Sequence, residues 1–131
     1  MGLKGRILLA EDENRLRTGM EFVLSGAGYQ VIAVADGEQA YQVLKASKRP
    51  QQVDILLTDI VMPKIGGVEL LQKLRREDLL PPVVLGLSAY ADDCTMRQMS
   101  DAGCQGMLDK PFHANELLAM IARSNCNGRD A

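Results

Sequence analysis

The sequence predicts an α/β fold, a doubly wound parallel sheet made of five successive strand–helix units. Two observations carry this expectation. Five short apolar runs recur along the chain, and each is followed by a stretch of helical character. The runs are apolar at consecutive positions, which suits strands covered by helices on both faces. Regular alternation of the two element types implies parallel strands joined by right-handed crossovers.

The first run is Arg6-Ile7-Leu8-Leu9-Ala10. Asn14 can cap the helix behind it, whose Leu16, Met20, Val23, Leu24 and Ala27 form one stripe at helical spacing; Gly26 and Gly28 break it. The second run is Tyr29–Val34, and Asp36 can cap a helix through Ala40, Val43 and Leu44 that the Pro50 region ends. The third run is Val53–Thr58. Gly67 then opens a helix through Val68, Leu70, Leu71 and Leu74, with Pro81-Pro82 as its stop. The fourth run, Val83–Leu87, precedes a polar, weakly patterned helix from Ala91 to Ala102. The fifth, Gly106–Leu108, is the weakest. A last helix from Asn115 to about Ser124 turns Leu117, Leu118 and Ile121 inward.

A length of 131 residues makes a single domain, 1–131, the default. Its core is expected over about 4–123, with polar 125–131 as a tail or the start of a linker. Hydrophobic residues make up 47%, enough for a real core, and the net charge is −2. A near-neutral chain lacks the positive field of a general nucleic-acid binder. With no Trp and 4% aromatics it also lacks stacking platforms, so direct nucleic-acid binding is not expected. Three cysteines (Cys94, Cys104, Cys126) and one histidine (His113) build neither a disulfide framework nor a zinc site. No apolar stretch approaches the roughly 20 residues of a membrane span. The N-terminus meets acidic residues too early for a signal peptide. The expected location is cytoplasmic.

In open α/β sheets the functional crevice lies at the carboxyl ends of the strands. Those ends carry Glu11-Asp12-Glu13, Thr58-Asp59, Ser88-Ala89-Tyr90 and Asp109-Lys110-Pro111-Phe112. Two carboxylates about 5 Å apart repel by about 3 kcal/mol at an effective dielectric of 20. Acids gathered this way raise one another's pKa unless a cation sits among them. A hard divalent ion such as Mg²⁺ suits oxygen ligands of this kind. Glu13 and Asp109 are equally well explained as helix-capping and turn residues.

No GxxxxGK[ST] loop, no GxGxxG turn and no GxSxG elbow is present. Ser88 has no histidine partner, because His113 lies beyond Lys110-Pro111. A carboxylate nucleophile that accepts a phosphoryl group fits what is left. A lysine and a divalent ion would neutralise the developing charge, and a hydroxyl would bind a phosphoryl oxygen.

Four motifs in order carry a resemblance over about Lys4 to Arg123. They are Ala10-Glu11-Asp12-Glu13, the run Asp59-Ile60-Val61-Met62-Pro63-Lys64-Ile65-Gly66-Gly67, Leu87-Ser88-Ala89, and Lys110-Pro111-Phe112. On this pattern the chain resembles the receiver domain of two-component response regulators. The resemblance implies the flavodoxin-like strand order 2-1-3-4-5. It implies that Asp59 accepts a phosphoryl group from a phosphohistidine, so the implied partner is a histidine kinase or a histidine phosphotransfer domain. Asp12 and Asp59 would bind Mg²⁺ (or Mn²⁺), with Glu11 acting directly or through water and the Val61 carbonyl as a further ligand. Lys110 would pair with Asp59 at rest and with the phosphoryl group afterwards, and Ser88 would hydrogen-bond that group. Lys110-Pro111 should be cis, and Gly67 matches the glycine that opens the third helix.

One position departs from the family. Three residues before the lysine, where an aromatic switch residue is usual, stands Met107. A methionine can fill a vacated pocket but supplies no hydroxyl. Tyr90 is a candidate substitute, with packing on its loop as the competing role. Val61 and Tyr90 could also restrict the in-line approach of water and slow dephosphorylation. On the first helix Phe22 points away from the core stripe, near Arg15, Gly19 and Gly26. That makes a docking face for a partner helix; the competing role for Phe22 is packing against the last helix. The fourth helix, the fifth strand and the fifth helix form the expected output surface, also a candidate for self-association.

Two other functions compete. A Mg²⁺-dependent hydrolase with an aspartyl nucleophile commonly carries a second Asp two residues on, where this chain has Val61. A partner-binding pseudo-receiver would not need the acidic pair, Asp59 and Lys110 together.

Overall fold

A computed structural model describes residues 5–46, 53–89 and 92–129. In chain order the elements are β1 (Gly5–Ala10), α1 (Asn14–Gly26), β2 (Tyr29–Val34), α2 (Gly37–Ala46) and β3 (Ile55–Asp59). They continue as α3 (Gly67–Arg76), β4 (Val83–Ser88), α4 (Asp93–Asp101), β5 (Gly106–Asp109) and α5 (Ala114–Arg129). The strands form one sheet in the order β2-β1-β3-β4-β5, and every neighbouring pair is parallel. This is the flavodoxin-like α/β architecture expected from the sequence.

The period-two geometry of β1 divides its side chains between two cores. Leu8 and Ala10 face α2 and α3, joining Leu56, Val84, Leu44, Leu70, Leu71 and Leu74. Ile7 and Leu9 face α1 and α5, joining Leu57, Leu85, Met20, Leu24, Leu117 and Ile121. Each fully buried leucine contributes about 2–3 kcal/mol of apolar transfer. Strands apolar at every position are therefore stable only between two helical layers.

Several boundaries differ from the sequence expectation, each for a local reason. The N-cap of α1 is Glu13, not Asn14: Glu13 has extended backbone and its carboxylate accepts the Leu16 amide. Asn14 is the first helical residue, and its side-chain oxygen accepts from Arg17 Nη2 at 2.6 Å. Helix α3 ends at Arg76, before Pro81-Pro82. Asp78 adopts φ 60°, and the Leu79 amide returns to the Leu74 carbonyl at 2.8 Å. An aspartate tolerates that left-handed conformation, so a C-terminal cap stops the helix first. Strand β3 starts at Ile55 rather than Val53. Asp54 is instead tied to the start of β1, its Oδ2 accepting the Arg6 amide at 2.9 Å.

Asp92 caps α4 through the Thr95 amide, so the helix begins at Asp93; Ala91 and Tyr90 lie outside the described residues, as does the Pro50 region. Helix α5 runs past Ser124 to Arg129 and takes in most of the segment expected as a tail. Asp36 does cap α2, its Oδ1 accepting the Gln39 amide at 2.8 Å. Among the described residues no helix is long and apolar enough to cross a membrane.

Candidate functional site

The parallel register brings the carboxyl ends of β1, β3 and β4 level. Ala10 pairs with Thr58, and Asp59 pairs with Leu87, so the residues just beyond these positions meet at one edge. Glu11 follows β1 directly and is fully buried (0% exposed), and Asp59 ends β3 at 6%. Asp12 is exposed. One carboxylate oxygen from each of Glu11, Asp12 and Asp59 lies within 4.8 Å of the others.

Lys110 enters this cluster from the turn after β5. Its Nζ lies 2.8 Å from Glu11 Oε1 and 2.9 Å from Asp59 Oδ2. The Lys110–Pro111 peptide is cis, as the resemblance implies. The other oxygen of Asp59, Oδ1, accepts the Ile60 amide at 2.9 Å. Glu11 Oε2 accepts the Glu13 amide at 3.0 Å. Glu11 Oε1 is held by the Lys110 ammonium alone among the described residues.

The electrostatics show how short of positive charge the cluster is. Burial, with repulsion from the Asp59 carboxylate added, raises the Glu11 carboxyl above the ordinary glutamate value against the lowering pull of the Lys110 ammonium and the Glu13 amide. Burial also works against the Lys110 ammonium, but its hydrogen bonds to Glu11 and Asp59 outweigh that and raise its pKa. One ammonium is thus well satisfied while a buried glutamate stays under-compensated. Three carboxylates that share one ammonium suit a hard divalent cation such as Mg²⁺.

The remaining expected residues frame the mouth of the site. Asp59, Ile60, Val61, Ser88, Ala89 and Lys110 line a cleft of about 360 Å³. Ser88 is 3% exposed at the end of β4, and Val61 is 75% exposed on the rim. Gly67 allows the chain after Asp59 to fold back closely. Its amide donates to the Ile60 carbonyl at 2.6 Å, and a Cβ there would stand 2.5 Å from the Asp59 carbonyl oxygen. A larger cleft of about 710 Å³ lies between α3 and α4, lined by Gln72, Arg75, Arg76, Gln98, Asp101 and Ala102. None of the residues that line it belongs to the carboxylate–lysine cluster.

Met107, Phe22 and Arg15 do not line the cleft. Met107 on β5 packs beside Gly86 and Met99, and the Cys104 thiol donates to its sulfur at 3.6 Å. Phe22 is 79% exposed, so it does not pack against α5. Arg15 is exposed on the same helix, and a Cβ on Gly19 or Gly26 would meet nothing within 4 Å. Tyr90 lies outside the described residues. Sequence reasoning missed Arg17, whose guanidinium grips the loop after β1. Its only signal was a place one helical turn beyond Glu13, where it reads as an ordinary solvated charge.

Comparison with known proteins agrees with this geometry. The chain is 28% identical to the transcriptional regulatory protein CrdR of Helicobacter pylori over 121 residues, covering 92% of this chain and 55% of that protein. It is 34% identical to the transcriptional regulatory protein CpxR of Escherichia coli over 116 residues, covering 88% of this chain and 47% of that protein. The chain therefore spans about half the length of these relatives. The crystal structure of a CheY-like response regulator receiver domain protein from Methanospirillum hungatei superposes with a TM-score of 0.87 at 23% identity, covering 96% of this chain and 97% of that one. A family model, that of the response regulator receiver domain, matches residues 7–122. That span holds all five strands' carboxyl ends and every residue of the carboxylate–lysine cluster, and the chain belongs to the receiver-domain family of two-component response regulators.

Proposed function

We propose that this domain accepts a phosphoryl group on Asp59 from a phosphohistidine of a cytoplasmic histidine kinase or histidine phosphotransfer domain. The observation that carries the reading is the Lys110 ammonium, 2.9 Å from Asp59 Oδ2 and 2.8 Å from Glu11 Oε1, in a cleft that Ser88 also lines. An Asp59 oxygen attacks phosphorus, the bond from phosphorus to the donor imidazole breaks, and its electron pair stays on the imidazole nitrogen. Lys110 leaves the carboxylate it holds at rest and follows the negative charge onto a phosphoryl oxygen. The Ser88 hydroxyl donates to a second phosphoryl oxygen.

Glu11, Asp12, Asp59 and the Val61 carbonyl would hold Mg²⁺ or Mn²⁺. Once bound, the ion supplies charge neutralisation for the phosphoryl oxygens. Hydrolysis of the acyl phosphate by water returns Asp59 to its carboxylate, so the domain acts only on its own phosphorylation state. Val61, bulky and exposed on the rim, restricts the approach of that water; we assign Tyr90 the same part. The exposed α1 face with Phe22 and Arg15 receives the donor. Phosphorylation then shifts an existing equilibrium at the α4–β5–α5 surface, where Met107 lies and where self-association would occur.

Mass spectrometry after incubation with acetyl phosphate and Mg²⁺ tests the reading. A single phosphoryl adduct that Asp59→Asn abolishes is expected. No adduct, or an undiminished adduct in Asp59→Asn, overturns it.

A further inference from the structure

We infer that Arg17 is a positioning residue for the divalent-cation site, acting through the peptide that joins Glu11 to Asp12. The inference rests on the cation site proposed above. Arg17 Nη1 donates to the Glu11 carbonyl oxygen at 3.0 Å, and Nη2 donates to Asn14 Oδ1 at 2.6 Å. The other polar groups of Glu11 are held elsewhere. Its amide donates to the Val34 carbonyl at 3.1 Å, Oε2 accepts the Glu13 amide, and Oε1 faces Lys110. Arg17 is the side chain that fixes the remaining group, the carbonyl.

That carbonyl is half of a planar unit. The peptide bond locks the Glu11 C=O and the Asp12 N–H and Cα into one plane. Holding the oxygen therefore fixes the N–Cα bond about which Asp12 turns, and the Glu13 amide on Glu11 Oε2 ties down the peptide on its other side. Asp12 is exposed, unlike Glu11 and Asp59, and burial does not fix it. Its carboxylate nevertheless lies within 4.8 Å of the other two, on a peptide whose carbonyl Arg17 holds.

The placement of Arg17 is otherwise poorly explained. It sits one turn inside the N-terminal end of α1, where the helix dipole disfavours a cation. The first turn of α1 carries no acidic residue, and the N-cap carboxylate of Glu13 is taken up by the Leu16 amide. Its donors go to two neutral oxygens rather than to a carboxylate. A fork that spans the Glu11 carbonyl and the Asn14 side chain ties the β1–α1 loop to the helix. Lysine would bring one nitrogen to these oxygens in place of a planar fork of two.

Charge and geometry predict opposite signs, which makes the inference testable. As a bare charge, Arg17 repels a divalent ion, and its removal would tighten binding. As a positioning residue, it orders Asp12, and its removal weakens binding. The experiment titrates the full chain with Mn²⁺ alone, reading free Mn²⁺ by electron paramagnetic resonance. Parent, Arg17→Met, Arg17→Lys and Asp12→Asn are compared, with the metal-free melting temperature reporting folding. Both Arg17 variants are expected to bind Mn²⁺ about tenfold more weakly than the parent. Arg17→Met binding as tightly as the parent or tighter overturns the inference. If Arg17→Met does not fold, Arg17→Lys decides, and a parent-like affinity there overturns it. A parent that binds no Mn²⁺, or an Asp12→Asn variant that binds like the parent, removes the cation site itself and the inference with it.

Discussion

The Lys110 ammonium lies 2.9 Å from Asp59 Oδ2 and joins two residues 51 positions apart in the chain. With Glu11 Oε1 at 2.8 Å, a single lysine separates two buried carboxylates. Removing one partner from such a group leaves uncompensated buried charge, a loss of about 3 kcal/mol. Lys110→Met is therefore expected to lower metal-free stability by about that amount in urea unfolding. Saturating Mg²⁺ should restore more stability to the variant than it adds to the parent, because the ion replaces the missing charge. A variant as stable as its parent without metal would show that the lysine does not hold the acids together.

Val61 is 75% exposed on the rim of the cleft that holds Asp59. An exposed valine gains little for the core, so its bulk is available to act on what enters. Val61→Asn exchanges that bulk for a polar group that can orient water. The expected result is release of phosphate from the phosphorylated domain several-fold faster, at unchanged melting temperature. A release rate equal to the parent's would reduce Val61 to a loop residue.

Much of this was readable because the fold is written in short-range patterns. Five doubly apolar runs allow few arrangements other than a parallel sheet between two helical layers. Once the sheet is fixed, its carboxyl edge collects Glu11, Asp12, Asp59, Ser88 and Lys110 without further information. What could not be read depends on interactions that sequence periodicity does not encode. Asp78 stops α3 through a left-handed backbone state, while the more conspicuous Pro81-Pro82 lies downstream. Glu13 displaced Asn14 as the cap because the backbone at 13 is extended and its longer carboxylate still reaches the Leu16 amide. The grip of Arg17 on a main-chain carbonyl leaves no mark in the sequence, since a carbonyl belongs to every residue.

Met107 shows a related limit. The sequence marks it as a departure from an aromatic, but not where its side chain goes. In the structure its sulfur fills the space above Gly86, beside the Met99 methyl and the Cys104 thiol. A Cβ at position 86 would intrude on Met107 and stand 3.2 Å from Met99 Cε. Gly86→Ala is expected to destabilise by about 1–3 kcal/mol through overpacking. Because the conflict is with one flexible side chain, combining it with Met107→Ala should relieve it. A double-mutant cycle should then give a coupling of about 1 kcal/mol or more, and strict additivity would place Met107 elsewhere.

Helix α4 has one buried residue, Met99, and a cap at its start from Asp92. The amide and the side chain of Thr95 hold the Asp92 carboxyl below the ordinary aspartate value. A carboxylate whose pKa is lowered by folding stabilises the fold above its unfolded value of 3.8. That contribution is lost as pH falls through the lower folded value. Protection of the Thr95 amide against hydrogen exchange, corrected for intrinsic rate, should therefore fall in this acid range. Asp92→Asn keeps a capping oxygen that does not titrate. Its Thr95 protection should stay flat across the same range, and a parallel fall in both proteins would locate the titration outside the cap.

Phe22 is the most exposed large apolar side chain among the described residues, at 79%. Its helix offers two open glycines and Arg15 around it, so a partner helix can approach the backbone closely there. Aromatic anchors of this kind carry much of the energy in small interfaces. An isolated exposed phenylalanine contributes little to folding, so truncating it should leave the melting temperature nearly unchanged. Phe22→Ala should slow phosphoryl transfer from a histidine phosphotransfer domain that phosphorylates the parent chain. A loss of about 1.4 kcal/mol of contact corresponds to about tenfold. Acetyl phosphate needs no docking face, and its rate should stay at the parent value. Rapid-quench kinetics with both donors separate the two effects. Equal slowing with both would trace the defect to the site, whereas unchanged transfer from the protein donor would mean that the partner docks away from Phe22.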